Sequence, residues 1–251
     1  MKIGLIGSGG REHALCHFLY KSKKVTEIFC IPGNAGTNSI AKNIQLDLND
    51  FESIKKFIIK NEIKLIIVGP EKPLVEGIVD YLEKFNIKVF GPDKIASQLE
   101  GSKIFTKKLC EKYNIPTAKF GIFKSFKDAN NFLINSKFPI VIKADGLASG
   151  KGVYISENKT EGVQAIKEIF DGKFGNASQV LIEEFLDGEE MSYFIISDGK
   201  TYKKFQTAQD HKRVFEGDKG KNTGGMGAYS PSKLINDELD NKILKKILNQ
   251  H

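Results

Sequence analysis

The sequence predicts an α/β protein, and three observations carry that prediction. The first hundred residues alternate short β-branched runs with segments of helical spacing, the order that builds a parallel sheet covered by helices on both faces. Further on, Gly146, Gly150 and Gly152 sit in a loop between two apolar runs, residues 140–143 and 153–155, which reads as strand, glycine loop, strand. Past residue 189 an Asp198-Gly199 turn separates two strand-like stretches, the signature of an antiparallel hairpin.

Each element follows from its own residues. Residues 2–6 form an apolar run ending at Gly7, and residues 11–21 then repeat Ala14, Leu15, Phe18 and Leu19 at helical spacing, giving strand, glycine turn and helix. Strands follow at 27–31, 65–68 and 88–90, with helices at 50–60 and 74–84 between them. Residues 1–101 therefore read as one Rossmann-like parallel-sheet domain. Residues 102–122 hold a helix, 102–113, with Ser102 as N-cap, then a connection beginning at Ile115-Pro116. Residues 123–188 form a small α+β unit: helix 126–133, the glycine hairpin, helix 160–170 and strand 179–184. Residues 189–251 begin with strands at 191–197 and 203–209, continue as a long polar loop at 209–231, and end in an amphipathic helix at 236–248.

Composition excludes several classes of function. At 251 residues, 40% hydrophobic and 27% charged, the chain can bury a sizeable core. No apolar run approaches membrane-spanning length, and the start has no signal-peptide core, so the expectation is a cytoplasmic protein with no membrane partner. Cys16, Cys30 and Cys110 are widely spaced and lack CxxC pairing, which argues against a disulfide framework or a zinc site and for buried small hydrophobes. The net charge of +7 comes from scattered lysines interleaved with acids, a solvated surface and not a nucleic-acid stripe. The only two arginines, Arg11 and Arg213, lie in glycine-bearing or polar loop segments, where a planar bidentate donor suits phosphate or carboxylate; a surface ion pair is the plain alternative for each.

The chemistry starts from the glycines. Loop N–H groups unobstructed by Cβ atoms attract anions, phosphates above all, and Lys143 adds a point charge at the strand that enters the loop. No Gly-Lys-Ser/Thr opens a helix here, so the Walker arrangement is absent and a hairpin closing over a polyphosphate fits better. At the N-terminus, Gly7-Ser-Gly-Gly-Arg-Glu12 approaches a dinucleotide fingerprint, but Glu12 stands at the third glycine and no acid follows the second strand, where Pro32-Gly33-Asn34 stands instead. A nicotinamide oxidoreductase is therefore disfavoured; a helix N-terminus with Arg11 beside it suits a single phosphate.

Read together, Gly7-Ser-Gly-Gly-Arg-Glu-His-Ala14, Pro32-Gly-Asn-Ala-Gly-Thr37, Val68-Gly-Pro-Glu71, Leu99-Glu-Gly-Ser-Lys103, Ile142-Lys-Ala-Asp-Gly-Leu-Ala-Ser-Gly-Lys-Gly-Val153, Ile182-Glu-Glu-Phe-Leu-Asp-Gly-Glu-Glu190, Gln209-Asp-His-Lys-Arg213 and Asn222-Thr-Gly-Gly-Met-Gly-Ala-Tyr-Ser-Pro231 resemble the glycinamide ribonucleotide synthetase family of ATP-grasp ligases, over nearly the whole length. The resemblance implies joining of glycine to 5-phosphoribosylamine through glycyl phosphate, with ATP and Mg²⁺ or Mn²⁺, in a monomer or weak oligomer. It makes residues 123–188 the ATP-grasp lid and 189–251 the start of the core. It implies that Lys103 and Lys143 reach ATP phosphates, that Ala148, Ser149, Gly150, Lys151 and Gly152 cover the β/γ end, and that Glu183, Glu184, Phe185 and Leu186 hold adenine through the backbone while Glu190 takes the ribose hydroxyls. Gly9, Gly10, Arg11, Glu12, Asn34, Gly36, Pro70 and Glu71 are implied for the ribose phosphate substrate. Asp210, His211, Lys212 and Arg213, with Asn222, Thr223, Gly224, Gly225 and Met226, are implied to gather glycine and the transferred phosphoryl group, Arg213 as a clamp and His211 as a candidate base.

One feature departs from the family pattern. The family's metal-holding carboxylates and Asn lie downstream of the Asn-Thr-Gly-Gly-Met-Gly stretch, and the sequence stops at His251, so the expectation is an N-terminal portion with an incomplete core, no metal ligand and no turnover by itself. A non-catalytic nucleotide-binding module and another ATP-grasp carboxylate–amine ligase are the alternatives.

Overall fold

In the computed structural model, residues 1–147, 152–175, 178–217 and 219–248 are described. The chain divides into two units, residues 1–108 with 120–182, and residues 109–119 with 183–251.

The first unit opens with a five-stranded sheet in the order β3-β2-β1-β4-β5, from β1 (Lys2–Gly7), β2 (Glu27–Pro32), β3 (Lys42–Asn43), β4 (Leu65–Val68) and β5 (Val89–Phe90). Every pairing is parallel, with Ile3 opposite both Ile28 and Leu65. A central parallel strand is covered on both faces, which is why β1 is buried almost throughout instead of alternating. Ile6, Phe29, Ile54, Ile58, Ile66, Ile78 and Leu82 pack on one face, against helices α2 (Phe51–Lys60) and α4 (Ile78–Glu83). Leu5, Cys16, Ile28 and Cys30 pack on the other, under α1 (Gly10–Tyr20). Gly4 allows this packing, since a Cβ there would sit 2.5 Å from Ile66 Cδ1.

Cys16 and Cys30, distant in sequence, meet with their Sγ atoms 3.7 Å apart as free, buried thiols, and Cys110 is half-buried. Burial and the neighbouring Cys16 push the Cys30 thiol up to about 12, so it behaves as a small hydrophobe.

The single helix expected at 74–84 is two, α3 (Glu71–Glu76) and α4, because Gly77 adopts φ +96° between them and ends the first in a left-handed cap. Three short elements here went unforeseen, a 3₁₀ turn at Thr37–Ser39, β3 and α5 (Gln98–Gly101); at two to four residues, none spans enough of a period to be read. Helix α6 (Lys103–Lys112) follows, and Ser102 Oγ accepts the Phe105 N–H at 3.1 Å, as an N-cap does.

A four-stranded sheet follows, β6-β9-β7-β8, from β6 (Phe120–Phe123), β7 (Ile140–Ala144), β8 (Val153–Ser156) and β9 (Val180–Glu184), all of it in the first unit save the last two residues of β9. Here β6 corrects the expected connection: the run Phe120-Gly-Ile-Phe123 pairs at the sheet edge, where tertiary pairing outweighs a glycine's weak strand preference. Helices α7 (Phe126–Ile134) and α8 (Lys159–Phe170) pack on Ile140, Ile142, Ala144, Val180 and Ile182. These helices start on side-chain caps from Ser125 and Asn158.

The second unit begins with the hairpin β10 (Ile195–Ser197) and β11 (Tyr202–Lys204). Asp198 Oδ1 accepts the N–H groups of Lys200 and Thr201 at 2.9 and 2.7 Å, so the carboxylate organises the turn. The strands are shorter than expected, and beyond them pairing resumes at a Ser192–Ala208 bridge. The stretch expected to be a structureless loop carries two ladders. β12 (Gln209–Asp210) pairs with β15 (Ala228–Tyr229), and β13 (Arg213–Phe215) pairs with β14 (Lys219–Asn222), all antiparallel. Their strands are only two to four residues long, so no period-2 pattern announces them. The last helix, α9 (Asp237–Ile243), is capped by Asn236 and passes into a π-turn at Leu244–Leu248. That wider turn breaks the expected stripe and leaves Ile247 exposed.

Candidate functional site

The N-terminal glycine turn is built around Glu12. Helix α1 carries this side chain back over the turn, where it is buried and Oε2 accepts the Gly9 N–H at 2.6 Å. A Cβ on Gly69 would lie 2.1 Å from Glu12 Oε1, and one on Gly7 would lie 2.6 Å from Glu12 Cγ, so both glycines make room for the carboxylate. Arg11 Nη1 donates to the Gly69 carbonyl (2.9 Å) and to Glu71 Oε1 (3.0 Å). Burial works to raise the Glu71 carboxyl, but its own backbone N–H and the Arg11 guanidinium outweigh it and hold the group below its ordinary value.

A pocket of about 340 Å³ opens here, lined by Gly7, Ser8, Gly9, Gly10, Arg11, Glu12, Leu48, Pro70 and Glu71. The structure thus gathers six of the residues expected for the ribose phosphate, at a helix N-terminus that favours an anion. Glu12 already takes one of the N–H groups of the turn, that of Gly9. Asn34 has a different part. Its Nδ2 donates to the Ser8 and Gly9 carbonyls at 2.9 and 3.3 Å while Oδ1 accepts the Thr37 N–H at 3.0 Å, so the carboxamide ties two loops together. Gly36 lies against the His13 ring, 2.3 Å from Cε1 for a built Cβ. Leu48, Thr37 and Asn43 were missed; Asn43 donates to the Asn34 carbonyl at 2.7 Å, a contact no local spacing signals.

In the glycine hairpin, Lys143 pairs with Val153 across β7 and β8, and the Ala144 N–H donates to the Gly152 carbonyl at 2.8 Å. Ile140, Ile142 and Ala144 face the core, so strand alternation turns Lys143 to the opposite face. Lys103 Nζ donates to the Gly146 carbonyl at 2.8 Å, which brings the two lysines' elements together at the root of the loop. Ala148, Ser149, Gly150 and Lys151 lie outside the described residues.

In the second unit, Glu183 is buried, Phe185 half-buried and Leu186 exposed. Glu184 is clamped to Lys119 twice, its N–H donating to the carbonyl (3.0 Å) and its Oε1 accepting the N–H (2.8 Å). Glu190 pairs with Lys212. Residues 209–213 and 222–229 run side by side. Thr223 donates twice to the Lys212 carbonyl, through N–H (2.7 Å) and Oγ1 (2.9 Å), and the His211 N–H donates to the Gly227 carbonyl at 2.9 Å. The Met226 N–H donates to the His211 carbonyl at 2.8 Å, and Asp210 pairs with Ala228. The His211 ring tilts against Tyr229, and Arg213 Nη1 donates to the Gly220 carbonyl at 2.7 Å. Gly225 takes φ +110°, a conformation reserved largely for glycine, and its N–H donates to Thr223 Oγ1 at 3.0 Å. Asn222 ends β14 opposite Arg213, Gly224 is exposed, and so is Met226.

Comparison with known proteins agrees over the whole length. The phosphoribosylglycinamide synthetase N-domain family matches residues 1–100, and the ATP-grasp (A) domain of phosphoribosylglycinamide synthetase matches residues 101–251. The chain belongs to the phosphoribosylglycinamide synthetase family. A phosphoribosylamine–glycine ligase of Mesorhizobium japonicum is 48% identical over 249 residues, 99% of this chain and 59% of that protein. The crystal structure of a phosphoribosylamine–glycine ligase from Thermotoga maritima superposes with a TM-score of 0.82 at 32% identity, covering 98% of this chain and 59% of that one. The biotin carboxylase domain of a Hydrogenobacter thermophilus 2-oxoglutarate carboxylase, at 17% identity and a TM-score of 0.77 over 99% of this chain and 57% of that one, shares the fold. This synthetase-family chain spans about 59% of the length of its curated relatives. The parallel α/β domain and the ATP-grasp architecture expected from sequence both hold.

Proposed function

We propose that the chain serves the ATP-dependent joining of glycine to 5-phosphoribosylamine, giving glycinamide ribonucleotide, ADP and phosphate. What supports this reading is a pocket at a helix N-terminus, lined by Gly9 to Glu12 with Arg11, on the same chain as a glycine hairpin bearing Lys143. On this reading residues 1–101 bind the ribose phosphate, residues 123–188 are the lid, residues 189–251 begin the core, and the work is done in the cytoplasm by a monomer or weak oligomer.

The reaction needs little nucleophilic help from the protein. Glycine carboxylate attacks the γ-phosphate, and the amine then displaces phosphate from glycyl phosphate; positioning, charge neutralisation and exclusion of water supply the catalysis. Lys143 and Lys103 meet the phosphate oxygens, and the loop to Gly152 covers them. The backbone of residues 183–186 orients adenine, and Glu190 shifts between Lys212 and the ribose hydroxyls. Arg213, Asp210, His211 and Lys212, laddered to the stretch from Asn222 to Met226, receive glycine and the transferred phosphoryl group. The family implies a divalent metal, Mg²⁺ or Mn²⁺, but among the described residues no group of three His, Cys, Asp or Glu could hold one, so no residue here is assigned to it.

The test is ADP release from the full-length polypeptide with ATP, glycine and phosphoribosylamine. Release that requires both co-substrates supports the reading. Release indifferent to phosphoribosylamine, or to glycine, removes it.

A further inference from the structure

The root of the glycine hairpin is tied to helix α6 by a side chain that none of the assigned roles uses. Asp145 follows β7 directly. Its Oδ2 accepts the Ser102 hydroxyl at 2.9 Å and its Oδ1 the same hydroxyl at 3.1 Å; Oδ1 also accepts the Ile104 N–H at 3.2 Å. Ser102 in turn accepts the Phe105 N–H, so two of the orphan donors at the start of α6 end on this pair. A carboxylate at a helix N-terminus gains from the helix dipole as well as from its hydrogen bonds.

The neighbours on either side of this contact carry the interest. Lys143 lies two residues before Asp145, at the end of β7, and Lys103 is the first residue of α6, next to Ser102. Lys103 also reaches the Gly146 carbonyl, beside Asp145 on the hairpin. Gly146 itself has φ +92°, so the chain turns sharply as it leaves the tie. Residues 102–104 and 145–146 thus form one junction in which each strand of chain holds the other and presents a lysine.

We propose that Asp145 is a positioning residue: by fastening the root of the hairpin to the first turn of α6, it fixes Lys143 and Lys103 at the one spacing that a polyphosphate spans. This rests on the nucleotide reading of the hairpin. An ammonium on a flexible four-carbon stem is a point charge with no directional fork of its own, so its position must come from the backbone that carries it. Asp145 does not touch the nucleotide; it acts through the two lysines. Asparagine at 145 keeps the size of the side chain but loses the charge that the Ser102 hydroxyl and the helix N-terminus prefer.

The experiment is calorimetric titration of the full-length polypeptide with ATP and, separately, with AMP, alongside thermal melting. Asp145→Asn is expected to weaken ATP binding about tenfold, as loss of a charge-assisted hydrogen bond does, and to leave AMP binding unchanged. Ser102→Ala, kept as the second variant in case Asp145→Asn folds poorly, is expected to act in the same direction, and Ser102→Thr to restore binding. The double variant is expected to be no weaker than the weaker single, since both break one tie. ATP and AMP affinities falling together would mark a general loss of structure and overturn the proposal. Unchanged ATP affinity in Asp145→Asn, with Lys143→Ala weakened, would overturn it while sparing the nucleotide reading. Unchanged affinity in Lys143→Ala would overturn the nucleotide reading itself.

Discussion

Single side chains in this molecule do their work by what they are bonded to. Glu12 was legible as a departure from the dinucleotide fingerprint, yet its destination, folded back over Gly7 and Gly69, depends on a strand nearly sixty residues away. Asn34 was implied by the family motif at residues 32–37, while the loop-to-loop tie that it makes lies beyond local sequence. Glu168 gave no signal at all. Its carboxylate accepts from Lys173 Nζ and the Tyr154 hydroxyl, both at 2.5 Å, and from Gln164 at 3.0 Å. Lys173 first, then Tyr154 and Gln164, hold the carboxyl down to about 2, from an ordinary value of 4.5. A depressed folded-state value means the ionised form favours folding, so the contribution is complete above pH 4.5 and is lost as pH falls toward 2. The difference in melting temperature between the native chain and Glu168→Gln should therefore be largest near neutrality and shrink through that acid window. A difference that widens on acidification would contradict this account of the triad.

Among the elements, long amphipathic segments were readable and short or interrupted ones were not. Helices α2, α7 and α8 bury one face each and begin on Asp50, Ser125 and Asn158, so period and cap agreed. The ladder strands of residues 209–229 are too short, at two to four residues, to show an alternation, and what aligns them is pairing with each other. Residues 74–84 failed differently: the apolar pattern continues across Gly77, so its periodicity hides the left-handed residue that ends α3. That conformation makes a test. Gly77→Ala places a Cβ in a left-handed backbone, at a cost of about 1–2 kcal/mol. The new atom would lie 3.2 Å from Lys94 Cδ, a flexible partner that can give way. Strain is therefore the main loss, and Gly77→Asn, which tolerates this region better, should cost less. Melting temperatures should rank glycine above asparagine above alanine, and an alanine variant as stable as the native chain would show that the break at residue 77 relaxes into one helix.

At the scale of the whole molecule, burial is divided unequally between the units. Of the buried hydrophobic residues described, only Ala118 belongs to the second unit, alongside buried Glu183, Thr207 and Ser232. Among the described residues the first unit holds all three apolar clusters: two on the faces of the parallel sheet, one beneath helices α7 and α8. Burial of apolar surface is what makes opening costly, and strands of two to four residues with little apolar burial open at little cost. Backbone amides of β1, β2, β4, β7 and β9 should accordingly exchange with deuterium most slowly, at the rate set by opening of the unit as a whole. Amides in β10 to β15 should exchange faster by orders of magnitude, through local opening that leaves the first unit closed. Protection of β12 and β15 matching that of β1 would mean that polar ladders alone stabilise the second unit to the same degree. The link between apolar burial and local stability would then fail for this chain.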